Sequence, residues 1–430
     1  MSIKAGAILF DANGFVIDRI QSGGPGSLNI PEEKIYEVGN WQSVGTVYDI
    51  PDLSFDLESF DASCEFEAIL LGEIKGSSGQ TNANAFSSTI GTNEIDFQDA
   101  CPIDVVSPFK SQRNAYNIIN GVAVPYLTLE RASYRFGVGQ NASQQFTLKG
   151  DSIYYTPGQP FTETQAVSGT PSNAQVVTFN YGPAAVYTDN GLPTYVLNVT
   201  LYNHTAGTYK RLFADSLTAH DQNGFTIAAS VCTDYEEIRY VYSAPDDSVD
   251  YVQAGHAVAG PFVQNTPTGV GVKPAAIRAK DIDIFVGDDS ATTVWTRLTG
   301  VQTAEATWSV SLENDQELGN SRYVSQDYDV PEVSGSLTVK AFDTADLFSK
   351  ISTVTGVSAT EVLGPDVTTP VKLEIGINDP SNGNRIKTIY VPEARFKVPG
   401  MNARVQTKLE SQFDYVSDTG AFKVYNGSMR

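Results

Sequence analysis

Tyr48-Asp49-Ile50-Pro51-Asp52-Leu53-Ser54-Phe55-Asp56-Leu57-Glu58 carries the fold of this chain. Leu53, Phe55 and Leu57 alternate with Asp52, Ser54, Asp56 and Glu58, the period of two of a strand with one buried and one wet face. The first seven residues return 280 positions later as Tyr328-Asp329-Val330-Pro331-Glu332-Val333-Ser334, each replacement keeping size and polarity. Upstream, Glu37-Val38-Gly39-Asn40 returns at the same offset as Glu317-Leu318-Gly319-Asn320. In the second copy Val333, Leu337 and Val339 alternate with Glu332, Ser334, Ser336, Thr338 and Lys340.

The match extends outward in order. Arg19-Ile20 pairs with Arg297-Leu298, Phe60-Asp61 with Phe342-Asp343, Phe66 with Phe348, Pro102-Ile103 with Pro370-Val371, and Val124-Pro125 with Val391-Pro392. Gln145-Phe146 and Gln412-Phe413 complete the series. The expected organisation is two copies of one domain, residues 1–155 and 276–430, around an unmatched segment, 156–275. A duplicated domain suggests pseudo-symmetric assembly.

Each copy reads as an early strand, a long irregular loop (Gln21 to Val47; Gly300 to Asp327), the alternating strand, a short helix and several hairpins. Asp61 and Asp343 stand where an N-cap belongs, Phe66, Ile69 and Leu70 share one helical face, and Gly72 and Gly356 are the expected stops. The Ser/Asn/Thr/Gly-rich stretch Glu73 to Ala100 suits a functional loop or a segment ordered by assembly. In the middle segment, Gln175 to Tyr181, Thr194 to Tyr202, Phe225 to Ala229 and Ile238 to Tyr242 read as strands, with linkers at Pro157 to Pro160 and Pro261 to Pro274. The reading is an inserted β-sandwich; its strands extending the first copy's sheets is the alternative.

The bulk numbers narrow the function. Net charge is −22, from 50 acidic against 28 basic residues, so most of the surface repels phosphate. The three cysteines form no CxxC pair, which argues against a disulfide framework or a cysteine zinc site. There is no long apolar run, and the N-terminus does not read as a signal peptide. His204, His220 and His256 lack metal-ligand spacing, and no phosphate loop, dinucleotide fingerprint or nucleophile elbow occurs. Glu236-Glu237 point to opposite faces of a strand, and the segment from Asp379 is better read as a turn than as a calcium loop. The expectation is a protein without catalytic residues, metal or cofactor.

Strand, long loop, strand, short capped helix and a β-sandwich remainder resemble the tail tube (major tail) proteins of tailed bacteriophages. Tyr328 to Ser334 with Phe342-Asp343, and the same block at Tyr48 to Gly72, carry that likeness. The resemblance implies a mainly β chain: two tandem tail-tube-like β-sandwich/barrel-forming domains, each with one short helix, plus the inserted β-rich domain. It implies trimeric, pseudo-hexameric rings stacked into a conduit for genome ejection, in the virion tail and assembled in the host cytoplasm. The implied partners are further copies of itself, tape-measure, tail terminator and baseplate or tip proteins, and a sheath where the tail contracts. Double-stranded DNA would be met only in transit, and no membrane is bound. Asp52, Ser54, Asp56, Glu58, Glu332, Ser334, Ser336, Thr338 and Lys340 would then line the lumen. Glu37, Asn40, Trp41, Trp308, Glu317 and Asn320 would sit in contact loops between subunits or rings; for the tryptophans, core packing is the equal alternative. A competing function is a carbohydrate-binding adhesin or receptor-binding tail module, with Tyr195 to Tyr202 and Tyr235 to Tyr242 as stacking platforms. A cell-wall hydrolase built from distant carboxylates is a third.

Overall fold

The computed structural model describes residues 10–17, 19–36, 42–60, 63–71, 94–110, 118–169, 172–180, 184–189, 192–203, 206–213, 216–244, 277–288, 295–318, 320, 322–340, 349, 370–397, 400–402, 410–417 and 419–429. The fold is mainly β, with the helix Glu65–Leu70 under one sheet. Eight strands order the molecule: β1 (Ile20–Asn29), β2 (Asp52–Ser59), β3 (Ile118–Gly137), β4 (Ser143–Gly150), β5 (Val301–Ser309), β6 (Glu332–Lys340), β7 (Gly400–Asn402) and β8 (Glu410–Ser417). They pair antiparallel in the spatial order β1-β2-β4-β3-β5-β6-β8-β7, one uninterrupted sheet running through both sequence repeats.

The pairings of the two repeats correspond residue by residue. Leu57 lies opposite Phe146, and Leu337 opposite Phe413. Thr128 lies opposite Lys149, and Arg395 opposite Val416. Behind this sheet, Val105 faces Val124 and Leu373 faces Val391 in a second layer. That layer is closed by Tyr154–Pro157 in the first repeat and by Lys423–Asn426 in the second. One core cluster fills the space between the layers and runs through both repeats, from Leu53, Phe55 and Phe146 to Trp308, Leu337 and Phe413. Its continuity follows from β3 and β5, whose paired inner residues Ala132 and Trp308 bring the two interiors together.

Several expectations change. The long loops are strands: β1 and β5 occupy their first parts, and the hairpins Glu32–Tyr36/Ser43–Tyr48 and Leu312–Asp315/Ser325–Tyr328 follow. Gly23, Gly24, Pro25 and Gly26 hid β1. An edge strand tolerates this composition, and Gly24, at φ 147°, takes up a register shift against β2. The pairing of Arg19-Ile20 with Arg297-Leu298 is displaced. Ile20 lies opposite Ser59 and Val301 opposite Val339, while Leu298 takes the place of Ile17, each donating its backbone N–H across a hairpin, to Ile284 and Phe10. The first helix starts after Cys64 rather than Asp61, without a side-chain cap, and is buried all round. The expected second helix, Gly72, and most of Glu73 to Ala100 lie outside the described residues. The end of that stretch, Glu94–Asp96, is a strand on Lys423–Tyr425 of the second repeat.

The middle segment forms sheets of its own. The four-stranded sheet (Gln159–Ala166, Glu237–Ala244, Asn198–Asn203, Thr208–Leu212) packs on a three-stranded one (Gln175–Thr178, Gly224–Ile227, Leu217–Asp221) around Phe161, Phe179, Phe225, Tyr240 and Tyr242. Pro157 to Pro160 is no linker: Pro157 ends one strand, Gln159 begins the next, and Pro160 packs where any Cβ on Gly121 would stand. Two buried arginines fix the sandwich to the first repeat. Arg211 pairs with Asp151 at 2.5 Å, and Arg239 with Asp104 at 2.7 Å. Tyr126 and Tyr202 lie under the respective guanidinium planes. Pro261 to Pro274 lies outside the described residues.

Candidate functional site: the polar face of the shared sheet

Strict alternation gives the eight-stranded sheet two unlike faces. One is the core. On the other, β2 presents Asp52, Ser54, Asp56 and Glu58, and β6 presents Glu332, Ser334, Ser336, Thr338 and Lys340, each half-buried or exposed. The nine residues singled out in the sequence therefore share one face of one sheet, although 280 residues separate the two groups.

The neighbouring strands complete that face with residues the sequence reading did not name. Thr147 donates to Asp56 at 2.8 Å, Ser22 to Glu58 at 2.9 Å, and Lys149 stands 3.6 Å from Asp52 and 3.9 Å from Glu130. At the junction of the repeats Arg135 pairs with Glu305 at 3.0 Å, and Ser133 and Thr307 share a hydrogen bond. Asp414 accepts from Gln412. The signal was present: Gln145, Thr147 and Lys149 alternate with Phe146 and Leu148 as plainly as β2 does.

The face is acidic overall. Asp52, Asp56, Glu58, Glu130, Glu305, Glu332, Glu410 and Asp414 stand against Arg131, Arg135, Lys149 and Lys340. Burial raises the Glu130 carboxyl above its usual range; Lys149 opposes this, and Asp52 and Asp56 add to it. Such exposed pairs contribute about 0–1 kcal/mol each to stability, so the charges are free to serve another end. The sheet also has two edges. Among the described residues β1 pairs only with β2, and β7 only with β8.

Trp308 is no contact-loop residue. It lies on β5, 1% exposed, packed between Phe97 and Tyr328 with ring centroids 5.5 and 6.1 Å away. Glu317 and Asn320 lie at the tip of the second repeat's hairpin, where Asn320 donates to Glu317. Glu37, Asn40 and Trp41 fall outside the described residues. The proposed sugar platforms are largely internal: Tyr202, Tyr240 and Tyr242 are buried, the last two donating to Glu163 at 2.8 and 3.0 Å. Glu237 is buried and Glu236 exposed, on opposite faces as expected. The loop at Asp379 is a turn closed on Ser381 and Gly383. Among the described residues no cluster of His, Cys, Asp and Glu is arranged to hold a metal, and no helix is long and apolar enough to cross a membrane.

No protein-family model and no curated protein matches the sequence. Among solved structures, the chain is similar to a component of the anti-feeding prophage baseplate (6-fold symmetrised), with 10% identity and a TM-score of 0.24, over 34% of this chain and 92% of that one. It is likewise similar to a component of the anti-feeding prophage cap, the tube-terminating cap, with 14% identity and a TM-score of 0.24, over 36% of this chain and 91% of that one.

Proposed function

We propose that this chain is a structural subunit of a phage tail tube, built from a duplicated tube domain with an inserted sandwich, and that three copies close into a ring. The observation that supports this reading is the eight-stranded sheet: one wet, acidic face, one core face and two edges without partner strands. A sheet with a wet face and free edges is a hazard in a monomer and a device in an assembly. Head-to-tail pairing of β7 with β1 of the next chain repeats, between molecules, the β3–β5 junction already present within one, and a repeating heterologous contact closes into a ring. Three chains give roughly 24 strands. At ~4.8 Å spacing and ~40° tilt the barrel is about 48 Å across, with a bore of roughly 35–40 Å after side chains. A duplex about 20 Å wide passes through it, and the carboxylates of the wet face keep it from adhering.

On this reading the chain has no catalytic role. Its partners are its own copies, a tape-measure protein, a terminator, baseplate or tip proteins and, in a contractile tail, a sheath; it resides in the virion after assembly in the host cytoplasm. The test is electron microscopy with symmetry analysis of concentrated protein, alone and with a tape-measure partner. Rings of three-fold symmetry with a pseudo-six-fold wall are expected; monomers under every assembly condition would overturn the reading.

A further inference from the structure

The two hairpins that follow β1 and β5 are built alike. Glu32 lies opposite Tyr48, and Leu312 opposite Tyr328, each pair shifted by 280. Asp49 donates its backbone N–H to Pro31 O at 2.9 Å, Asp329 donates to Ser311 O at 3.0 Å, and each aspartate caps the next residue's N–H. Their surroundings are opposite. The second repeat's hairpin is seated on the first repeat: Gln326, 1% exposed, accepts from Thr128 at 2.8 Å, and the Tyr328 hydroxyl donates to Ala100 O. The backbone N–H of Tyr323, just before the hairpin's return strand, donates to Asp151. The first repeat's hairpin touches no such seat. All of Glu32–Tyr36 is exposed, and Tyr48, in the place of Tyr328, is 67% exposed, with Ile30, Ile35, Tyr36 and Val44 beside it.

We infer that the hairpin Glu32–Tyr36/Ser43–Tyr48 is an arm that seats on the second repeat of the neighbouring copy of this chain within the same ring. This rests on the ring reading above and assigns the arm to a contact within rings, not between them. Internal repetition supplies the register. Thr46 takes the place of Gln326 and Arg395 the place of Thr128, since Lys149–Thr128 and Val416–Arg395 are equivalent pairs. Within the chain, Val310 donates its N–H to Glu130 O beside the seat. The matching positions are Ile30 on the arm and Lys397 on the neighbour. An arm with a cluster of exposed apolar side chains gains its burial there, and Tyr48 fills the role that Tyr328 fills inside one chain.

Chains carrying Thr46→Cys and chains carrying Arg395→Cys, mixed and assembled, are treated with a short bifunctional maleimide. Unmodified protein is the control for Cys101, which is partly buried, and for Cys64 and Cys232, which are buried. Cross-linked pairs are expected in isolated, unstacked rings and absent when either substitution is present alone. Tyr48→Ala is expected to leave the monomer's melting unchanged while weakening ring association about tenfold or more. Rings that form but do not cross-link, or that cross-link only when stacked, overturn the arm assignment and leave the ring standing. Absence of rings from the unmodified chain overturns both.

Discussion

The ammonium of Lys387, in the second repeat, pairs with the carboxylate of Glu67, on the helix of the first, and neither side chain is exposed. Lys387 also donates to Gln144 Oε1 at 2.9 Å and to Ser63 O at 3.2 Å, and Tyr134 donates to Glu67 at 2.8 Å. Removing one member of a buried pair leaves the other charged and unsolvated. Lys387→Met is expected to cost about 3–5 kcal/mol, seen as a lowered urea midpoint. Adding Glu67→Leu should recover most of that loss, because the pair is replaced by apolar packing. A double variant no better than the single one would show that the pair does not act as a unit.

Two carboxyls at the middle sandwich shift in opposite directions. Burial pushes Asp151 up, but Arg211's charge and hydrogen bonds, with Arg322 behind them, outweigh it and hold the carboxyl below the usual aspartate range. Burial raises Glu163, and hydrogen bonds from Tyr240, Tyr242 and Asn180 do not offset it. A raised acid gains stability as pH falls from its folded value towards about 4.3, where the unfolded chain also takes up the proton. A depressed acid keeps its contribution above about 3.9 and loses it as pH falls through its folded value. Thermal stability of the sandwich and its joint should therefore rise on mild acidification and fall steeply in strong acid. Glu163→Gln should abolish the rise and spare the fall; scanning calorimetry across pH separates the two.

How much of this was legible in the sequence depends on the kind of residue. The register of β2 and β6 was legible, because alternation of Leu, Phe and Val with Asp, Glu and Ser fixes a strand face. The position of β1 was not, since Gly23, Gly24 and Pro25 lower strand propensity and only the sheet edge tolerates them. Nor was the cross-repeat pairing of Lys387 with Glu67, because a lone Lys or Glu normally meets water and nothing local signals a partner 320 residues away. Trp308 was ambiguous for a related reason: its burial comes from Phe97 and Tyr328, distant in the chain.

Gly335 marks a place where the repeats diverge with compensation. Its counterpart Phe55 faces Leu148, while Gly335 faces Tyr415, so the aromatic ring has crossed to the other strand. A Cβ on residue 335 would collide with the Tyr415 hydroxyl and with the backbone oxygen of Glu305, which accepts that hydroxyl's hydrogen bond at 2.8 Å. Gly335→Ala should cost about 1–3 kcal/mol by overpacking. With Tyr415→Phe the combined loss should be smaller than the sum, because one of the two collisions disappears. Strict additivity in the denaturation midpoints would mean that the hydroxyl is not the obstacle.

The wet face gives a prediction about DNA that ordinary surface charge does not. Asp52, Asp56 and Glu58 replaced together by Lys lose only exposed contacts, from Lys149, Thr147 and Ser22. The monomer's stability should change by about 1 kcal/mol or less. Assembled rings should change far more, because a bore that repelled phosphate would now hold it. Retention of duplex DNA should appear at low salt and decline steeply as salt rises, log K falling by roughly 0.9 per phosphate contacted for each tenfold rise in salt. Glu32→Lys with Glu33→Lys, on the hairpin, is the control: it adds similar charge off the sheet face and should not reproduce threading. Threading is read by whether linear DNA is retained while DNA blocked at both ends by bulky protein is not. Equal retention of blocked and open DNA would place the three carboxylates on the outside of the assembly and remove the bore from the argument.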